Sequence, residues 1–218
     1  MRVPVEEALR YLGAAGAGGE TRQMAEEAAA LLESRLRPRF LWRAFRTVRG
    51  DGEILLPEAG IRLPGRLAEN MLEQCETAVL AVCSLGAGFD RLEQEWEARD
   101  MARAAVMDAC GSAWTEAVCD AAEEEISRRF PDLYRTDRFS PGYGDLPLSL
   151  QADFLRALDA ERRLGVTANE SFLLLPCKSV TAVIGLSDRP QGAKIRGCGF
   201  CGLREGCAYR RGGKFCGI

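Results

Sequence analysis

Four of the nine cysteines stand close together near the end of the chain, as Cys198-x2-Cys201-x5-Cys207-x8-Cys216. Thiolates at such short spacing in a Gly-rich stretch can converge on one metal centre. Cys198-Gly199-Phe200-Cys201-Gly202 makes one tight knuckle of the kind that grips zinc. Cys207 and Cys216 are too far apart for a tidy second knuckle, and an iron–sulfur cluster tolerates such irregular spacing better. Lys194, Arg196, Arg204, Arg210, Arg211 and Lys214 surround the thiols, against only Asp188 and Glu205. Nearby cations suit an anionic thiolate-ligated cluster and raise its potential. The spacing admits a 4Fe-4S cluster, a structural zinc or an unligated, reduced tail. The other cysteines read differently. Cys75, Cys83, Cys110 and Cys119 lie in apolar runs, where a free thiol acts as a small hydrophobe. Cys177 is ambiguous: it sits on a loop beside Lys178, where a thiolate could be stabilised.

A second group with chemical potential is Arg138-Phe139-Ser140-Pro141-Gly142-Tyr143-Gly144-Asp145. Pro141 and Gly142 force a tight turn, with the glycine free to take positive φ. Such a turn offers backbone N–H and C=O groups to a ligand. Arg138 carries paired donors that match a carboxylate, and Tyr143 supplies an aromatic wall or a hydroxyl. An ordinary surface loop would carry the same residues without any ligand.

Composition narrows the chemistry. With no histidine, the chain has no Ser-His-Asp or Cys-His catalysis and no imidazole proton shuttle. A net charge of -3 argues against a nucleic-acid-binding face. No apolar run approaches the ~20 residues that cross a bilayer. The start, Met1-Arg2-Val3-Pro4-Val5-Glu6-Glu7, lacks a cationic stretch before an apolar block, so the expectation is a cytoplasmic protein with reduced thiols.

The elements that must position these residues follow from periodicity. A short helix over 5–12 and a Gly-rich breaker precede an amphipathic helix carrying Met24, Ala28, Leu31 and Leu32. Residues 37–48 alternate as a half-buried strand, followed by strands at 53–56 and 61–63 and a helix over 67–74. Residues 77–85 form a continuous apolar run, a buried strand. Ser84-Leu85-Gly86-Ala87-Gly88 after it lacks the third glycine of a dinucleotide fingerprint, since Arg91 stands there. Helices follow over 89–98 and from Met101 to about Arg129. The long one carries Met107, Cys110, Trp114, Ala117 and Ala121 as a core-facing stripe, and Glu123-Glu124-Glu125 as a solvated end. A loop over 131–145 leads to a helix from Pro147 to about Arg163, with Leu150, Phe154 and Leu158 inward. Strands at 171–175 and 180–186 close the core. The pattern predicts an α+β fold with antiparallel sheets and a long central helix, plus a small metal-binding tail. It divides into residues 1–66 packing on a core of 67–187, then a Cys-rich tail at 188–218.

Arg-x-x-Pro-Gly-Tyr, a following helix, Glu170-Ser171-Phe172-Leu173-Leu174-Leu175-Pro176 and Ser179-Val180-Thr181-Ala182-Val183 together resemble the activation domain of cobalamin-dependent methionine synthase, in its free-standing versions. The match is strong over 138–186, consistent in order over 67–130 and weak before that. The resemblance implies S-adenosylmethionine binding, with Arg138 on the methionine carboxylate, the backbone at Ser140 and Gly142 lining the site, and Tyr143 facing the corrinoid. Glu116 is similar to a family carboxylate near the ligand's charged end; a solvated helix residue is the other reading. After Tyr143 the run Gly144-Asp145-Leu146-Pro147 departs from the synthases, which also lack the cysteine tail. The 218 residues have no room for homocysteine, folate or cobalamin domains. The resemblance therefore implies a reactivation module that supports reductive methylation of Co(II) cobalamin supplied by a partner. That partner is a corrinoid methyltransferase, or a methionine synthase lacking its own activation domain. The basic tail suits an acidic electron donor such as flavodoxin or ferredoxin. A zinc-stapled, non-catalytic adaptor of a corrinoid methyltransferase system is the alternative.

Overall fold

The computed structural model describes residues 1–15, 18–192, 194–195, 205–206 and 211. Cys198, Cys201, Cys207 and Cys216 lie outside the described residues. In chain order the elements are α1 (Val5–Tyr11), α2 (Glu20–Arg35), β1 (Arg39–Arg46), β2 (Val48–Arg49), β3 (Glu53–Leu56), β4 (Ile61–Pro64), α3 (Arg66–Met71) and β5 (Thr77–Ser84). Then come α4 (Ala87–Glu97), α5 (Met101–Arg129), β6 (Tyr134–Arg135), α6 (Leu150–Leu158), α7 (Ala160–Leu164), β7 (Thr167–Ala168), β8 (Leu174–Leu175) and β9 (Ser179–Ser187).

The main sheet runs β1-β5-β9-β6 and is antiparallel throughout. This is the α+β architecture expected from the clustering of strand signals, and it excludes a parallel dinucleotide-binding unit around Gly86. Central β5 explains its own composition. Ala78, Leu80 and Val82 point to one face, where Phe45, Phe139, Phe154 and α3 pack. Val79 and Cys83 point to the other, towards α5 and its neighbours. A strand covered on both faces reads as an unbroken apolar run because neither side meets water. Edge strand β1 is half-buried, as expected, with Arg39, Arg43 and Arg46 exposed, but its apolar residues serve both faces: Phe40, Trp42 and Ala44 pack on the α5 side, Leu41 and Phe45 on the opposite side.

Helix α5 begins at Asp100, whose carboxylate accepts from the N–H groups of Ala102 and Arg103 at 3.0 and 3.1 Å, satisfying two orphan donors. Its buried stripe of Met107, Cys110, Trp114 and Val118 crosses the sheet. Cys75, Cys83, Cys110 and Cys119 are buried free thiols, as their apolar settings suggested. Among the described residues no helix is long and apolar enough to cross a membrane.

Three local expectations change. The helix from Pro147 is two helices, because Asp159 takes a left-handed φ of 52° that ends α6 and starts α7. The strand expected at 171–175 is only Leu174–Leu175, paired with Thr167–Ala168; Phe172, at φ 62°, is not extended. The loop over 131–145 contributes β6 to the sheet edge.

Candidate ligand site at the open edge of the main sheet

The position of Arg138 follows from strand alternation. Tyr134 and Arg135 pair with β9, and Phe139 returns to β9 through reciprocal backbone bonds with Val183 (3.1 and 2.7 Å). Phe139 is fully buried on the α3/α6 face. Its predecessor must therefore face the opposite way, towards α5. There α5 presents Glu116, Asp120 and Glu123, spaced four and three residues apart and hence on one helix face. The Arg138 guanidinium donates to all three, with the Asp120 bond at 2.7 Å. Burial of Arg138 opposes its charge, but the Asp120 hydrogen bond and the charge and hydrogen bond of Glu123 outweigh it and hold its pKa well above the usual value. Glu123 also accepts from Arg135 and is only 14% exposed. This corrects the solvated reading of the 123–125 run: Glu124 and Glu125 are exposed, whereas Glu123 turns inward.

After Phe139 the chain leaves the sheet. Tyr143 N–H donates to the Ser140 carbonyl at 3.0 Å, closing a turn over Pro141 and Gly142, with Gly142 at φ 93°. Pro at the second and Gly at the third turn position suit that geometry. The Gly142 N–H is committed to the Leu146 carbonyl at 2.8 Å, and Ser140 Oγ donates to the Thr181 carbonyl at 2.7 Å. Asp145 fastens the far end of the loop. Its carboxylate accepts from the N–H groups of Arg66 and Leu67 at the start of α3 (2.7 and 3.0 Å), bonds that hold its pKa below the usual aspartate range.

Because the loop peels away, β9 has no strand partner on its outer side over 179–181 among the described residues. A cavity of about 530 Å³ lies at this open edge, lined by Tyr11, Glu116, Arg138, Ser140, Pro141, Tyr143, Gln151, Leu174, Ser179, Val180, Thr181 and Ile195. Four of the residues named from sequence, Glu116, Arg138, Ser140 and Tyr143, therefore share one cavity. Gly142 shapes the turn but does not line it. An adjoining hollow of about 340 Å³ shares Tyr11, Glu116, Ser179 and Val180 and continues to Ser112 and Lys178. Tyr11 stands between the two. Partial burial, then the charges of Glu7 and Glu116, push its phenol up to about 12. A third hollow, beside α6 and α7, brings no such set of groups together.

Sequence reasoning missed Asp120, Glu123, Tyr11, Gln151 and Thr181. The carboxylates had a signal in their spacing with Glu116. Gln151 had one too, as a polar residue in the inward register of α6 with Phe154, Leu155 and Leu158. Tyr11 had none, since only the tertiary fold brings α1 to this edge.

The thiolate reading of Cys177 does not hold. Its Sγ donates to Asp90 at 2.8 Å, and Lys178 is drawn away to Asp108 and Ser112. Partial burial of the sulfur, then the Asp90 bond and the negative charges of Asp90 and Glu93, push the thiol up to about 12. With a folded pKa above the unperturbed ~8.5, Cys177 stays protonated at pH 8, where a free cysteine is partly thiolate. Alkylation by iodoacetamide at pH 8 is expected to be several-fold slower than for cysteine in a peptide. Asp90→Asn should accelerate it; an unchanged rate would refute the electrostatic cause.

No protein-family model matches the sequence, and no curated protein is similar to it in sequence. Among solved structures, the chain is similar to the MetH reactivation domain bound to AdoHcy, at 16% identity and a TM-score of 0.66, over 97% of this chain and 82% of that one. The protein thus has the fold of the MetH reactivation domain.

Proposed function

We propose that this chain is an S-adenosylmethionine-binding reactivation module for a corrinoid protein. The observation that carries the reading is the convergence of Arg138, Ser140, Tyr143 and Glu116 on one cavity, within a fold shared with a domain that binds AdoHcy. In this reading residues 67–187 hold the ligand machinery, residues 1–66 pack on it, and 188–218 form the tail. Arg138 takes the methionine carboxylate as a bidentate partner. Glu116, displaced from Arg138, faces the ligand's ammonium. Tyr143, 53% exposed, lines the cavity together with Leu174, and Leu173 and Leu175 on either side of Leu174 are also exposed. Exposed apolar side chains beside the cavity suit the docking of a corrinoid partner.

The partner's Co(II) corrinoid is the methyl acceptor. It gains one electron and then forms a Co–C bond to the ligand's methyl carbon, while the C–S bond breaks with its electron pair retained by sulfur, releasing S-adenosylhomocysteine. The module contributes positioning and electrostatics. Cys198, Cys201, Cys207 and Cys216 would hold a 4Fe-4S cluster as the electron entry, fed by a donor such as flavodoxin or ferredoxin.

Calorimetry of the full chain with S-adenosylmethionine is expected to show saturable one-to-one binding. Absence of binding would overturn the ligand assignment. Anaerobic purification should yield brown protein with iron and sulfide in near-equal amounts. Colourless protein with one zinc per chain would support the non-catalytic adaptor instead.

A further inference from the structure

Gln151 occupies a place where α6 should be apolar. It lies in register with Phe154, Leu155 and Leu158, and only 6% of its surface is exposed. Burying a carboxamide is unfavourable unless its donors and acceptor are used. One end is used: Thr181 Oγ1 donates to Gln151 Oε1. Thr181 is itself 1% exposed and anchored in β9, and its carbonyl accepts the Ser140 hydroxyl. The network therefore ties the carboxamide to the same turn that positions Arg138 and Tyr143. The Gln151 nitrogen has no acceptor among the described residues, yet Gln151 lines the 530 Å³ cavity. With the carbonyl end held by Thr181, the amide nitrogen is the end left to meet a ligand.

We infer that Gln151 is a specificity-determining residue that reads the purine edge of the nucleoside ligand, with Thr181 as its positioning residue. The inference rests on the reading in the preceding subsection. A carboxamide presents an N–H donor beside a carbonyl acceptor. Adenine presents the complement, a ring-nitrogen acceptor beside the exocyclic N–H2 donor. The Oε1 atom has a second lone pair, so the Thr181 bond does not exhaust it. Hypoxanthine replaces the exocyclic donor with a carbonyl, which sets acceptor against acceptor in the same pose. A site built around such a pair rejects the mismatched ligand strongly, because buried polar groups are then left unpaired.

The test is calorimetric titration of the full chain with S-adenosylhomocysteine and S-inosylhomocysteine, for the wild type, Gln151→Leu, Gln151→Glu and Thr181→Val. The wild type is expected to prefer the adenine ligand by about tenfold or more. Gln151→Leu should reduce that ratio to near one, mainly by weakening the adenine ligand. Gln151→Glu keeps the side-chain size but removes the donors, and should weaken the adenine ligand at least as much. Thr181→Val should lower the ratio partially, with a thermal melt confirming that each variant is folded. An unchanged ratio in both Gln151 variants would overturn the inference, as would equal loss for both ligands. A wild type that binds neither ligand would instead overturn the functional reading on which it rests.

Discussion

Arg138→Ala is expected to weaken S-adenosylmethionine binding by about 100-fold, the equivalent of about 3 kcal/mol. The reason lies in what surrounds the guanidinium. Arg138 is 7% exposed and shared among Glu116, Asp120 and Glu123. Three carboxylates on one cation leave the site anionic unless two of them release it. Glu116 and Asp120 have side chains 46% and 63% exposed, so they can release Arg138 at little cost, Asp120 to water and Glu116 to the ligand's ammonium. Glu123 is 14% exposed and has Arg135 as a second partner, so it stays. An incoming carboxylate thus takes over the Glu116 and Asp120 bonds, and its net gain is the difference between two charge-assisted pairs. That difference keeps the effect near 3 kcal/mol and below the full energy of an isolated buried pair. Arg138→Lys retains the charge but loses the planar fork, and should recover only part of the affinity. Calorimetry with a parallel thermal melt decides the matter: a folded Arg138→Ala protein with wild-type affinity would remove Arg138 from the site.

Gly111→Val should lower stability by about 3 kcal/mol, seen as a fall of roughly 6–12 °C in the thermal midpoint. Gly111 lies in the middle of α5, where glycine is about 1 kcal/mol worse than alanine. Helix propensity alone would therefore predict a gain for alanine. Packing reverses the sign. A Cβ at Gly111 would stand 2.2 and 2.4 Å from two ring carbons of Phe89. Phe89 is fully buried against α5, and its ring also lies under Lys178 Nζ at 5.4 Å. A fully buried ring cannot move out to water, so relieving the clash requires α4 to shift away from α5. Valine adds two further methyl groups and a stiff χ1 to the same clash. Phe89→Leu in the same chain should return part of the loss, because the two sites share one contact. A Gly111→Val protein with an unchanged midpoint would show that α4 is loosely held.

Much of this architecture was legible one element at a time. The stripe Met107, Cys110, Trp114 described α5, and the unbroken apolar run of 77–85 described a strand covered on both faces. Both signals are local, since burial imposes a period on consecutive residues. Signals that depend on a partner were lost. Glu123 sits in an acidic triplet that looks solvated until Arg135 and Arg138 arrive from beyond the end of the helix. Cys177 beside Lys178 suggests a thiolate, yet Asp90, far away in sequence, takes the thiol while Asp108 takes the lysine. Sequence neighbours compete with spatial neighbours for the same charge, and the closer pair wins.

By itself, the sequence determined the α+β class, the long helix and the Arg138–Tyr143 turn. Hydrophobic period and the Pro141-Gly142 pair act over a few residues and need no tertiary context. Only the tertiary structure decided that the turn peels away from β9 at 179–181, that Tyr11 and Gln151 reach the same cavity, and that Arg138 is held by three carboxylates. Those features depend on strand order and helix placement, which bring together groups as near in sequence as Glu123 and Arg138 and as far apart as Tyr11 and Gln151. Pairing energies exist only once such groups have been desolvated together.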